Sequence, residues 1–172
     1  KIADVTAYVK SIRSDIIVMV DNCYGEFVET MEPSDFGADM VVGSLIKNPG
    51  GGLAPRGGYI AGKAELVEAS GERLTAPGIS EDVSSSLDFN RPAFQGLFMA
   101  PLIVEQALKG AVFSAAYLEA KGYCVSPTAV APRTDIIQCI EFGDPDKLRK
   151  FCQGIQAASA LESYVTPYDD QL

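Results

Sequence analysis

Apolar positions in this chain recur with two different periods, and the switches between them mark out its elements. Ile2, Val5, Val9 and Ile12 fall at helical spacing and the pattern stops near Ser14-Asp15, which predicts a first helix. Ile16-Ile17-Val18-Met19-Val20 follows as an unbroken, largely β-branched run ended by Asp21. A run that is apolar on both faces suits a central parallel strand better than an alternating surface strand. Residues 39–44 read as a second strand, Gly58–Gly62 as a short third, and residues 63–72 as a helix. A long helical pattern covers residues 91–121, with Leu102, Val104, Leu108, Val112, Phe113, Tyr117 and Leu118 on one broad face. Pro101 predicts a break or restart within it, and Lys121-Gly122 a stop. Residues 134–140 are strand-like. Asp144-Pro145 then supplies the N-cap and first position of a helix running from about Asp146 to Ala158. The composition changes over residues 126–132, which places a domain boundary between residues 1–125 and 126–172.

Composition narrows the chemistry. The chain has 172 residues, 47% hydrophobic and 22% charged, which fits one to one and a half globular domains and excludes wholesale disorder. It contains no histidine, so no Ser-His-Asp triad, Cys-His dyad or HExxH zinc site can be built from it. Catalysis must use Lys, Asp, Glu, Tyr, Ser or Cys, or a borrowed group. With 14 basic and 23 acidic residues the net charge is −9, which argues against nucleic acid and anionic membrane surfaces as partners. No apolar run reaches the ~18 residues of a membrane span, and the N-terminus shows neither a signal-peptide core nor an Arg-rich transit pattern. A cytoplasmic protein is expected. The first residues already lie inside a helical pattern, which suggests a piece of a longer chain. Cys23, Cys124, Cys139 and Cys152 have no CxxC spacing, so no metal site is expected and buried, reduced thiols are.

The constellation richest in chemistry is Val20-Asp21-Asn22-Cys23-Tyr24-Gly25, followed by Ser44-Leu45-Ile46-Lys47-Asn48-Pro49-Gly50-Gly51-Gly52. Each half ends a predicted parallel strand, and open α/β sheets gather their functional groups at the carboxyl ends of strands. A carboxylate (Asp21) and an amine (Lys47) there, without histidine, suggest a pyridoxal-phosphate site. That cofactor needs a lysine to carry it covalently and an acid beside the pyridine nitrogen to keep the ring an electron sink. Simpler readings stand beside this one. Lys47 alone is a solvated loop charge, Asp21 a strand-end turn residue, and Tyr24 a core aromatic with a bonded hydroxyl. The glycine run is either a flexible loop or an anion-binding nest.

The segments VDNCYGEFVE, ADMVVGSLIKNPGGGLAPRGGYIAGK, RLTAPGI, NRPAFQGLFMAP, ALKGAVFSAA and PRTDIIQ resemble the methionine-gamma-lyase-like proteins associated with aluminium resistance. These are fold-type-I pyridoxal-phosphate enzymes near the cystathionine lyases. The resemblance implies an α/β fold: the C-terminal half of a large domain with a mostly parallel sheet flanked by helices, then the start of an α+β small domain. It implies Lys47 as the Schiff-base lysine, Asp21 as partner of the pyridine nitrogen, and Ser44, Cys23 and Tyr24 as cofactor contacts. The related Ser-x-Thr-Lys pattern has Ile46 in place of its second hydroxyl. The family's chain is also longer, and the junction at residues 166–170 is shorter than its pattern.

The implied activity is a carbon–sulfur lyase that eliminates from a sulfur-containing amino acid, of methionine gamma-lyase or cystathionine beta-lyase type. A non-catalytic module, an inactive fragment or a transaminase are the competing readings, and this segment alone is expected to be inactive. Arg73, Arg91 and Arg133 are the arginines to watch. Arg133 opens the strand-like segment of the second domain and is a candidate for the substrate carboxylate, or else a surface charge. A homo-oligomer with shared active sites is expected, with Asn90 and Arg91 at the interface, or Arg91 simply anchoring the helix start. Exposed-looking apolar residues such as Phe94, Leu97, Phe98 and Met99, near the serine run at 84–86, fit that interface. Gly57 to Lys63 matches the GxxxxGK core of a P-loop, but Ala64 stands where Mg²⁺ needs a hydroxyl, so nucleotide binding is not expected.

Overall fold

The structure is a computed structural model and describes residues 1–80, 82 and 87–167. The serine run at 84–86 and the end of the 166–170 junction lie outside the described residues. In chain order the elements are α1 (Ile2–Ile12), β1 (Met19–Asp21), β2 (Met40–Ser44), β3 (Gly58–Gly62), α2 (Ala64–Leu74), α3 (Asn90–Ala120), β4 (Cys124–Ser126), β5 (Cys139–Glu141) and α4 (Pro145–Ala158). Two compact units result. One comprises residues 1–111 and 132–137, the other residues 112–131 and 138–172.

In the first unit the sheet order is β1-β2-β3. β1 runs parallel to β2 with Asp21 opposite Val42, and β3 runs antiparallel to β2 with Tyr59 opposite Gly43. This overturns the expected large domain with a mostly parallel sheet: the chain forms a small α/β arrangement with two short sheets. Two physical causes are visible. The stretch between Ser44 and Gly58 is long enough for a crossover but holds only a 3-10 turn at Asn48–Gly50, not the helix that a parallel return usually takes. The long apolar run also pairs over only part of its length. Ahead of β1, the Lys10 ammonium takes the Ile16 carbonyl at 2.6 Å and Val18 N–H donates to the Asp39 carboxylate at 2.8 Å. Side chains there satisfy backbone groups that a ladder otherwise uses.

Helix α3 continues unbroken through Pro101. Run length alone misses that this helix is long and apolar enough to cross a membrane, with a mean hydropathy of 1.3 in its apolar window. Ala100 and Val104 are buried along it while Phe94, Phe98 and Phe113 are exposed, and Glu105 pairs with Lys109 at 2.8 Å. The stop at Gly122 holds, with φ 85 and its N–H donating to the Glu119 carbonyl at 2.9 Å.

In the second unit β4 and β5 form an antiparallel pair, and the edge-to-face rings of Tyr123 and Phe142 sit 5.3 Å apart. Asp144 caps α4 as expected, accepting from Asp146 N–H at 2.8 Å. The strand expected over residues 134–140 shrinks to Cys139–Glu141, because Asp135 accepts from Ile137 N–H at 2.8 Å and turns the chain first. The thiols also depart from expectation. Cys23 is half-buried, and Cys124, Cys139 and Cys152 are exposed. The latter three sit on short strands and on α4, where little covers them.

Candidate functional site

The parallel pairing of β1 and β2 brings Asp21 and Ser44 to neighbouring carboxyl ends, and the ladder continues one bond further as Asn22 N–H donates to the Val42 carbonyl at 2.9 Å. Lys47 follows in a tight turn. Its N–H donates to the Ser44 carbonyl at 3.2 Å, and its carbonyl accepts from Gly50 N–H at 3.1 Å. The ammonium comes to 4.4 Å from the centre of the Tyr24 ring. Tyr24 reaches this place with φ 76, a left-handed backbone that costs a bulky residue about 1–3 kcal/mol. Neighbours hold it there: Cys23 N–H donates to Asp21 Oδ1 at 3.0 Å, and the Tyr24 carbonyl accepts from Ile136 N–H at 3.3 Å.

The electrostatics follow from these contacts. The Cys23 N–H and thiol hold the Asp21 carboxyl below the usual carboxylate range, and the Lys47 charge adds to this. For Lys47, partial burial pulls the ammonium down, but the Cys23 thiol and Tyr24 phenol outweigh it and the net direction is up. A cleft of about 400 Å³ opens over the amine, lined by Tyr24, Lys47, Gly52, Ile103 and Ile136 among others.

The structure therefore brings together Asp21, Cys23, Tyr24 and Lys47, with Ser44 half-buried at the base of the turn. Asp21 also makes the strand-end turn that its simpler reading describes. Arg133 belongs to the same compact unit, and its Nη1 donates to the Ile137 carbonyl at 3.3 Å. Asn90 and Arg91 are exposed at the start of α3 and do not line the cleft. The glycine run serves a purpose neither sequence reading describes. A Cβ on Gly51 would overlap the Gly96 carbonyl of α3, and one on Gly96 would overlap the Gly50 carbonyl. Close packing of the Lys47 turn on α3 requires glycine at Gly51 and Gly96, while at Gly50 a Cβ would run into the Leu45 carbonyl of the turn itself.

Four residues escape sequence reasoning. Glu26 and Asn48 are buried behind the turn, and Tyr59 donates to Glu26 at 2.8 Å. Asp39 is buried between the Lys10 and Lys63 ammoniums at 2.5 and 2.6 Å, so the lysine of the P-loop look-alike is a structural ion-pair partner. The one available signal was Glu26 itself, a carboxylate between Gly25 and Phe27 in a strand-end loop; no spacing links it to Tyr59.

The family model for methionine gamma-lyase matches residues 1–172. The chain belongs to that family. It is 52% identical over 168 residues to the uncharacterized protein YnbB of Bacillus subtilis, covering 98% of this chain and 40% of that protein. An uncharacterized 33.9 kDa protein of Lactobacillus delbrueckii subsp. bulgaricus is 47% identical over 167 residues, covering 97% of this chain and 55% of the other. Among solved structures, the carbon–sulfur lyase involved in aluminium resistance from Clostridium novyi superposes with a TM-score of 0.93 at 50% identity, covering 98% of this chain and 41% of that one. A candidate cystathionine beta-lyase involved in aluminium resistance from Clostridium acetobutylicum gives the same TM-score of 0.93 at 50% identity, covering 96% and 39%. This methionine gamma-lyase family chain thus spans 40% and 55% of the lengths of its two curated relatives.

Proposed function

We propose that this chain carries the lysine and acid of a pyridoxal-phosphate-dependent carbon–sulfur lyase that acts by elimination on a sulfur-containing amino acid. The observation that carries the reading is the parallel pairing of β1 and β2, which puts Asp21 and the turn that carries Lys47 at the same end of the sheet, with the Lys47 charge a minor contribution to lowering Asp21. The residues fit the cofactor on chemical grounds. An amine stands over an aromatic ring in an open cleft, and a carboxylate beside it is held ionised. Family membership and the names of the solved relatives point the same way.

Bound here, pyridoxal phosphate supplies the electron sink for a negative charge developing at the substrate α-carbon. Lys47 holds the cofactor and afterwards moves a proton at its Nζ. For that it must release the Cys23 and Tyr24 contacts that keep it protonated, and burial already favours the neutral amine. Asp21 is the acid that would keep the ring nitrogen cationic. The Ser44 hydroxyl serves the phosphate, with Cys23 and Tyr24 lining the pocket. Arg133 takes the substrate carboxylate, and the exposed Asn90 and Arg91 meet a second protomer.

In the protein as encoded in full, Lys47→Ala is expected to lose both the visible absorbance band and the release of thiol from cystathionine or methionine, while still folding. A variant that keeps a borohydride-sensitive band overturns the role of Lys47. A wild-type protein with neither band nor thiol release overturns the lyase reading in favour of a non-catalytic module.

A further inference from the structure

Behind the Lys47 turn lies a polar cluster that holds no cation among the described residues. Tyr59 Oη donates to Glu26 Oε1 at 2.8 Å, and Asn48 Nδ2 donates to the Glu26 backbone carbonyl at 3.0 Å. Glu26 is 4% exposed and Asn48 5% exposed, and Glu26 Oε2 finds no hydrogen-bond partner among the described residues. Burying a carboxyl and a carboxamide this deeply costs free energy that an apolar pair of the same size would not. The cluster is also built tightly. Gly43 faces Tyr59 across the β2–β3 ladder, and a Cβ there would overlap both the Tyr59 ring and Glu26 Oε1. The bare Gly43 lets the ring and the carboxyl meet directly over β2, one residue before Ser44.

From there the connection to the amine is short. Asn48 is the residue after Lys47, and its side-chain bond to the Glu26 carbonyl ties the turn to the loop that carries Cys23 and Tyr24. Tyr24 carries the ring that the Lys47 ammonium stands over at 4.4 Å, and Cys23 directly precedes it. We propose that Glu26 and Tyr59 are positioning residues for Lys47: their hydrogen bond fixes the loop from which the Glu26 carbonyl grips Asn48, and Asn48 sets where the amine stands relative to Tyr24 and Cys23. The proposal rests on the reading of Lys47 as the working amine of the site.

The test uses the protein as encoded in full, before and after hydroxylamine treatment, which strips any carbonyl cofactor. An amine-selective acylating reagent is applied across a pH series, and labelling of Lys47 is measured by peptide mass spectrometry against the exposed Lys147. In the stripped protein, Tyr59→Phe, Glu26→Ala and Asn48→Ala are each expected to raise the relative labelling of Lys47 by about fivefold, as loss of one buried hydrogen bond frees the amine. Glu26→Gln keeps an acceptor for Tyr59 and is expected to stay within about twofold of wild type. A role confined to stability would lower Tm in these variants without moving the labelling ratio. If folded Tyr59→Phe and Asn48→Ala label like wild type, or if Glu26→Gln frees Lys47 as much as Glu26→Ala does, the proposal is overturned. Should Glu26→Ala fail to fold, the other two decide. Lys47 left unprotected before hydroxylamine counts against the cofactor reading alone, since the stripped-protein ratios still decide the positioning.

Discussion

Asp39 and Glu26 are equally buried, each 4% exposed, yet the protein treats the two carboxyls in opposite ways. Asp39 receives the Lys10 and Lys63 ammoniums and the Val18 N–H, and together these hold it far below the usual carboxylate range. Glu26 receives the Tyr59 hydroxyl and, among the described residues, no cation; its burial dominates and pushes it up, while burial and the contact with Glu26 push Tyr59 up. Burial alone therefore says nothing about the charge of a carboxyl; the partners decide it. The difference follows their places. Asp39 joins α1, the start of β2 and the segment before α2, where a fixed charge is a structural tie. Glu26 sits behind the Lys47 turn, where the sheet offers a hydrogen bond and a glycine and the described residues supply no counter-ion.

The comparison breaks most visibly at Asp39. Asp39→Ala leaves two ammoniums without their anion and Val18 N–H without its acceptor, and is expected to cost about 3 kcal/mol in urea unfolding. That lies at the low end for a broken buried pair, because both lysines can turn towards water. Next in size is Gly43→Ala, whose methyl forces Tyr59 and Glu26 apart; about 2 kcal/mol is expected from overpacking. Both are read as shifts in urea midpoint at unchanged slope.

The pH dependence sharpens the contrast, because the signs are opposite. Asp39 is depressed, so its contribution is fully present above its ordinary value near ~3.9 and is lost as pH falls below it. Glu26 is raised, so its contribution is present below ~4.3 and is lost as pH rises through its folded value. Asp39→Asn is expected to flatten the acid limb of stability against pH. Glu26→Gln is expected to remove the decline on the other side while costing under about 1 kcal/mol at mildly acid pH. If Glu26→Gln leaves the pH profile unchanged, the two carboxyls do not differ in the way described. The smallest effect belongs to Lys63→Met: this ammonium is 56% exposed and Lys10 remains on Asp39, so a slight loss that moderate salt erases is expected in thermal unfolding.

Much of the molecule was legible in local sequence signals. Helical spacing located α1 and α3, Asp144-Pro145 gave the start of α4, and β3 fell where its residues indicated. The segments carrying Asp21 and Lys47 were recognisable as strand ends, and the family resemblance in VDNCYGEFVE and SLIKNPGGG agrees with the family match. These signals act within a few residues, where chain stiffness and side-chain period leave few alternatives. Tertiary structure alone decided the rest. The direction of β3 depended on a tight turn, and no crossover helix, following β2. Gly51 of the Lys47 turn was explained only once Gly96 arrived from α3. The fates of Asp39 and Glu26 depended on Lys10, Lys63 and Tyr59, partners 24 to 33 positions away in the chain, for which no sequence period exists. Sequence determined which residues were available at the strand ends; the charge each buried carboxyl carries, and where the amine over the Tyr24 ring stands, were decided by which distant groups the fold brought within hydrogen-bond reach.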